Sequence, residues 1–310
     1  MRTIITGASG HFGAATTRLL LDRLPASDLI LMSRSPEKLK EMQDRGATVR
    51  HGDFDDPTSL QRAVAGAEVM LLISGVKVGH RIPQHRAAIE AAVAAGVQRI
   101  VYTSYFGTSA DNTALVNKDH HGTEEILRSC GVPYTILRDG FYAESLLDIA
   151  VSQALRTGTW VSATGDGRVS FIGRDDCVEV AVEVLTGPGH ENQVYEVTGE
   201  ELWAWREVAE LAAEIAGKQI EFVPVTDEEL YAHFDAMGIP REPLDDFNVD
   251  GYIFCSDDMV SFERETRGGR FAITSDHVRR VLGRSPRPLR ELAEERREQY
   301  RAIVAETATA

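Results

Sequence analysis

The chain has 310 residues, 43% of them apolar and 26% charged, enough for one large domain or a large domain with a smaller companion and unlike a disordered segment. Its 33 basic and 48 acidic side chains leave a formal charge of −15, which disfavours nucleic acid or an anionic membrane surface as the main partner. Cys130, Cys177 and Cys255 stand far apart with no CxxC spacing, which argues against a disulfide framework or a zinc site and suits a reducing cytoplasm.

The opening "MRTIIT" already reads as a strand, so no signal peptide is expected and the expected location is cytoplasmic. No apolar run approaches the length needed to span a bilayer. The strand runs straight into Gly7-x-x-Gly10-x-x-Gly13, and "AATTRLLLDRL" continues with one apolar helical face. Each glycine has a physical task there. Gly7 permits a tight turn, Gly10 lets backbone approach a pyrophosphate, and Gly13 lets the helix pack closely on the strand. Ser9, His11 and Phe12 share this turn, whose helix start offers unpaired N–H groups to phosphates.

The second strand, "DLILMS", ends in Ser33-Arg34-Ser35-Pro36-Glu37-Lys38. A site for NAD would place an acidic residue at this point. Asp28 precedes the strand and so sits at its wrong end. Ser33, Arg34 and Lys38 instead suit a ribose 2′-phosphate, so the expected cofactor is NADP(H); as plain residues, Arg34 and Lys38 also fit a solvated helix start. Asp53-Phe54 follows the third strand, "TVRHGD", where an acid and an aromatic can flank an adenine or simply form a turn with a packed ring. Ile73-Ser74-Gly75 closes the fourth strand with small residues beside the expected crevice.

The alternation continues with "RIPQHRAAIEAAVAAGV" as a helix, "RIVYTS" as a strand, "TEEILRSCG" as a helix and "PYTILR" as a strand. Apolar strands interleaved with helices require a parallel sheet covered on both faces. The fold class is therefore α/β, a doubly wound Rossmann sheet, with its ligand crevice at the carboxyl ends of the strands.

The stretch "VNKDHHGTEE" places a lysine and two histidines within four positions. His120 and His121 are adjacent, so on a helix they diverge by about 100° and cannot share one ion. A plain helix start, with Asp119 near the dipole and His120 solvated, is one reading, and Lys118 reads as a solvated charge. The other turns His120 toward a bound ligand.

The segments "TGASGHFG", "SRSPEK", "GDFDD", "RIVYTS", "HHGTEEILRSCGVPYTILRDGFYAE" and "GRSPRPLRELA" together resemble the NmrA-like branch of the atypical short-chain dehydrogenases/reductases. Within that branch they are most similar to the quinone oxidoreductase and triphenylmethane-dye reductase type. The resemblance implies an NADPH-dependent reductase acting on an uncharged quinone-like or carbonyl small molecule. A second outcome it allows is a redox sensor that binds NADP(H) without turnover and acts through a protein partner. Ordinary short-chain dehydrogenases carry Tyr-x-x-x-Lys, in which the tyrosine exchanges a proton with the substrate oxygen. Here Val116 falls at the tyrosine and His120 at the lysine, so the usual proton donor is missing. The resemblance implies that His120 and Ser104 are the catalytic candidates, His120 by orienting the cofactor or substrate. Thr103 is a further cofactor candidate and Tyr105 a substrate candidate. Phe141, Tyr142 and Glu144 follow the sixth strand above the expected nicotinamide, where Phe141 suits the cofactor and Tyr142 and Glu144 the substrate wall, or all three form an aromatic helix start packed into the core. A homodimer is the assembly the resemblance allows.

After residue 145 the period loosens. The expected division is residues 1–145 as the NADP-binding domain, completed by about 168–200, with about 146–167 and 201–310 forming a smaller substrate lobe. The acidic stretch over 239–270 has no clean period and reads as a lid, an oligomer contact or a mobile segment.

Overall fold

The computed structural model describes residues 1–244, 247 and 255–308. In chain order the first half runs β1 (Thr3–Ile5), α1 (His11–Leu21), β2 (Leu29–Ser33), α2 (Lys40–Asp44), β3 (Thr48–His51), α3 (Pro57–Val64), β4 (Val69–Leu72), α4 (Arg81–Ala94), β5 (Arg99–Tyr105), α5 (Leu115–Ser129) and β6 (Tyr134–Asp139). Then come β7 (Phe141–Tyr142), α6 (Ala143–Ser145), a π-helical turn at Leu146–Val151, α7 (Ser152–Thr157), β8 (Thr159–Ser162), β9 (Arg168–Ile172), α8 (Arg174–Thr186) and β10 (Gln193–Val197). The chain closes with β11 (Leu202–Ala204), α9 (Trp205–Ala216), β12 (Glu221–Pro224), α10 (Asp227–Ala236), α11 (Ser256–Arg267), α12 (His277–Leu282), α13 (Leu289–Glu294) and α14 (Arg297–Ala308).

The main sheet has seven strands in the order β10-β6-β5-β4-β1-β2-β3. Pairing is parallel between β3 and β2, β2 and β1, β1 and β4, and β4 and β5. Strands β1, β2 and β4 are buried along their whole length, as expected where helices cover both faces. One core layer joins Ile4, Ile30, Met70 and Ile100 from the sheet to Leu60, Ala88, Ala92 and Leu127 from the helices. Strand order reverses between β1 and β4, and a doubly wound sheet opens its crevice at such a point. The doubly wound α/β architecture expected from the alternating pattern is the one observed.

The chain forms two compact units. The first comprises Met1–Thr108, Lys118–Arg138 and Cys177–Tyr195; the second comprises Ser109–Asn117, Asp139–Asp176 and Glu196–Ala310. In the second unit β11, β9 and β7 make a three-stranded sheet, and β12 pairs with β8 in parallel. The strand "RVSFI" thus belongs to this smaller sheet, while α8 leads back to β10 on the edge of the large one. Around these strands Phe141, Phe171, Trp205 and Phe262 form an aromatic cluster with ring centroids 5.1–6.5 Å apart.

The stretch over 239–270 differs from its sequence reading. Residues 256–267 form α11, with Asp257 and Asp258 in its first turn and Arg264 and Arg267 in its last. Those charges complement the helix dipole at both ends, and Val260 and Phe262 are buried. Charge placement, which period counting ignores, adds to the burial that stabilises this helix. Residues 245–246 and 248–254, on which the lid reading also rested, lie outside the described residues.

Candidate active site

The turn after β1 is built as its glycines require. Gly7 has φ +58, a left-handed conformation that costs other residues energy. Gly10 is the N-cap of α1 and its N–H donates to the Gly7 carbonyl at 2.9 Å. A Cβ on Gly13 would lie 2.5 Å from the Gly7 oxygen and 2.7 Å from the Ala8 Cα, so only glycine lets α1 approach this closely. Gly7 and Gly10 are exposed. No side chain caps α1 and its first turn holds no acid. The helix start therefore leaves its positive dipole end open to an anion. Ser9 faces the end of β2, with its hydroxyl 2.7 Å from that of Ser33. Ser33 Oγ also accepts from the Ser35 N–H. His11 is exposed, whereas the Phe12 ring is buried, so only its backbone faces the turn.

Arg34 follows β2 and Lys38 lies in the 3-10 turn Pro36–Leu39. Both are exposed and neither side chain has an ion pair or hydrogen bond among the described residues. Most other arginines are engaged, as in the pairs of Arg168 with Glu207 and Arg284 with Asp176. Two uncommitted cations beside an uncapped helix start fit a nucleotide carrying a 2′-phosphate.

Asp53 and Phe54 lie beyond the end of β3 at His51. Asp53 Oδ1 accepts from the Asp55 N–H, and Phe54 packs edge-on against His85 at 5.8 Å. Locally this is the aspartate turn with a packed ring. Directly after β4, Ile73, Ser74 and Gly75 present three successive N–H groups to side-chain acceptors: Thr6 Oγ1 at 2.9 Å, Thr103 Oγ1 at 3.0 Å and His85 Nε2 at 3.0 Å. A Cβ on Gly7 would touch Ile73 at 3.8 Å, so the two turns are neighbours.

His120 is neither solvated nor at a helix start. It is the sixth residue of α5 and is 3% exposed. Its Nδ1 is 2.7 Å from the Tyr102 hydroxyl, and Tyr105 stacks on its ring at 5.8 Å. Burial, helped by the nearby Arg81 and His85, drives its pKa well below the usual imidazole value. Asp119, read as a dipole partner, is also buried; it accepts from the Gly79 N–H at 2.6 Å and sits 3.9 Å from Arg81. Lys118 is exposed.

Ser104 does not have the surroundings of a catalytic serine. Its hydroxyl donates to Glu124 Oε1 at 2.7 Å inside a buried ion-pair network. Arg138 and Arg128 bind the same carboxylate. Burial raises the Glu124 pKa, but the Arg138 contacts outweigh it and hold the carboxyl below its usual range. The serine is a donor to a structural charge.

The second-unit candidates are likewise committed. Phe141 packs in the aromatic cluster. The Tyr142 hydroxyl donates to Asp139 at 2.8 Å, and the Arg174 guanidinium stands 5.3 Å from its ring centroid. Both Glu144 oxygens accept from the Arg174 N–H at 3.0 Å, so Glu144 caps α8. His85, Tyr102, Thr123 and Arg81 were missed in the sequence; a lone histidine on an apolar helix gave little signal for them. Among the described residues no group of His, Cys, Asp or Glu could hold a metal ion, and no helix is long and apolar enough to cross a membrane.

The model of the NmrA-like family matches residues 2–249. Quinone oxidoreductase 2 of Escherichia coli is 38% identical over 237 residues, covering 76% of this chain and 82% of that protein. An NAD(P)H azoreductase of Xenophilus azovorans is 30% identical over 292 residues, 94% of this chain and 96% of that one. Among solved structures, the NADPH-dependent quinone oxidoreductase of E. coli complexed with NADPH aligns with TM-score 0.85 and 32% identity, covering 94% of this chain and 99% of that one. The Citrobacter triphenylmethane reductase complexed with NADP(H) aligns with TM-score 0.83 and 30% identity, over 95% and 99%.

Proposed function

The chain belongs to the NmrA-like family and is an NADPH-dependent oxidoreductase, and from that premise we propose that its acceptor is an uncharged, flat, quinone-like molecule. The observation that carries the cofactor part is the uncapped start of α1 beside the uncommitted Arg34 and Lys38. We assign the diphosphate to the glycine turn and the dipole end of α1 and the 2′-phosphate to Arg34, Lys38 and Ser33. The adenine goes to Asp53 and Phe54, and the nicotinamide end to Ile73, Ser74, Gly75, Thr103 and His120.

The bound cofactor supplies a hydride from its nicotinamide ring. The protein's part is to bind, orient and exclude water. His120 is held neutral, and Nδ1 is taken by Tyr102, so Nε2 is the nitrogen left for a ligand. It orients and does not donate a proton. Burial likewise keeps the Tyr102 phenol protonated far above the usual range, so it is a poor acid. With Val116 in place of a tyrosine, the reduced acceptor takes its proton from water. Ser104, bound to Glu124, has no part in this reading.

The acceptor class is supported by the similarity to quinone and triphenylmethane reductases, and the charge of −15 favours a neutral over an anionic acceptor. A neutral quinone should be reduced with a higher kcat/KM than its sulfonated derivative. Preference for the sulfonated acceptor would contradict the reading.

A further inference from the structure

Gly75 is held at both of its backbone groups by side chains from one helix. Its N–H donates to His85 Nε2 at 3.0 Å, and its carbonyl accepts from Arg81 Nε at 2.5 Å. Arg81 and His85 are four residues apart on α4, so one face of its first turn grips the peptide from behind. The direction of every bond can be deduced. An amide N–H can only donate, so His85 Nε2 is the bare nitrogen and Nδ1 carries the proton. Nδ1 then donates to Thr123 Oγ1 at 2.9 Å, and the Thr123 hydroxyl donates to the Asp119 carbonyl at 2.9 Å. The chain from β4 to α5 is thus unidirectional and uncharged.

We infer that His85 and Arg81 are positioning residues that lock the Gly75 peptide, so that Ile73, Ser74 and Gly75 present a fixed wall to the nicotinamide end of the cofactor. This rests on the reading that the segment borders the cofactor. Neither residue touches the reacting atoms. Their effect is to remove the motion of a turn that Thr6 and Thr103 tether at its other two N–H groups. His85 must stay neutral to accept from Gly75; burial first and Arg81 second hold its pKa down to about 3. The groups around it are Arg81, Thr123, Tyr102 and Phe54, with His120 beyond Tyr102.

The test combines His85→Leu, His85→Gln and Ser74→Phe. In cofactor-free protein, amide hydrogen exchange in the peptide containing Gly75 should accelerate about tenfold or more in His85→Leu, because its N–H loses its acceptor. His85→Gln puts an amide oxygen near the place of Nε2 and should recover most of the protection. In the holoenzyme, kcat should fall about tenfold in His85→Leu and return to within about threefold in His85→Gln, with KM for the quinone little changed. Unchanged exchange and kcat in folded His85→Leu would overturn the inference, as would equal impairment in both variants, which marks simple packing. If His85→Leu does not fold, wild-type exchange in a folded Arg81→Lys variant overturns it and accelerated exchange supports it. Ser74→Phe separates the two levels. Wild-type NADPH affinity and turnover in that variant remove the segment from the cofactor, and the inference falls with the reading beneath it. Impaired Ser74→Phe beside a normal His85→Leu leaves the cofactor reading standing and overturns the His85 inference alone.

Discussion

Tyr102 and His120 are joined by a 2.7 Å hydrogen bond through His120 Nδ1, with Tyr102 fully buried and His120 3% exposed. Burial suppresses the imidazolium and the phenolate alike, so the pair is neutral on both sides. A neutral pair can fix geometry but is a poor source of protons. His120→Asn should therefore keep a hydrogen-bonding group and retain measurable turnover, whereas His120→Leu should lose about tenfold more. A wild-type rate that declines through a pKa of about 6 to 7 would instead mark a working general acid.

Arg34→Glu reverses an uncommitted charge placed for the 2′-phosphate. NADPH affinity should fall roughly tenfold to a hundredfold while NADH affinity changes little. Titration of both cofactors checks it; equal weakening would show that Arg34 serves the fold.

Ser104→Ala tests the alternative placement of that serine. Glu124 loses one donor and keeps two arginines, so the cost should be about 1 kcal/mol of stability, with turnover of the folded protein within about twofold. A drop of about a hundredfold in kcat at normal stability would return Ser104 to the chemistry.

Stability should fall in acid, and the sign follows from the histidines. His85 and His120 both have folded pKa values below the unfolded value, so their contribution is complete above about pH 6.5 and is lost progressively as pH falls. For His85 the loss runs down to about 3, and at about pH 5 it amounts to about 2 kcal/mol. Glu263 works in the opposite sense. Burial raises its carboxyl to about 7, so its contribution is present at low pH and is lost as pH rises from the ordinary glutamate value through about 7. Glu263→Gln should remove that compensation and steepen the acid loss. Denaturant midpoints at about pH 8 and about pH 5 measure both, and a pH-independent wild-type midpoint would contradict the assignment.

The first unit was legible in the sequence because its rules are local. Gly13 is a steric requirement that any reader of the motif can state, and the buried strands are continuous apolar runs. The substrate side was not legible, because the partners of its residues are distant in sequence. Ser104 meets Glu124 twenty residues on, and Glu144 caps a helix thirty residues away. Phe141 had the composition of a ligand contact, yet its neighbours Phe171, Trp205 and Phe262 come from three other elements. His85 was invisible for the same reason: its importance lies in a backbone N–H ten residues earlier. Helix α11 escaped because its buried face, Val260 and Phe262 beside Ser261 and Thr266, is too polar to show as an apolar period.

The central claim is that the chain turns over NADPH with a quinone. Purified protein should be mixed with NADPH and a neutral quinone while the nicotinamide absorbance and the quinone are followed together, with NADPH binding measured on the same sample. The account predicts catalytic loss of NADPH matched one to one by quinone consumed, abolished when Gly13→Ala closes the cradle after β1. Tight NADPH binding with no turnover across neutral quinones, aldehydes and ketones would contradict it and mark a cofactor sensor.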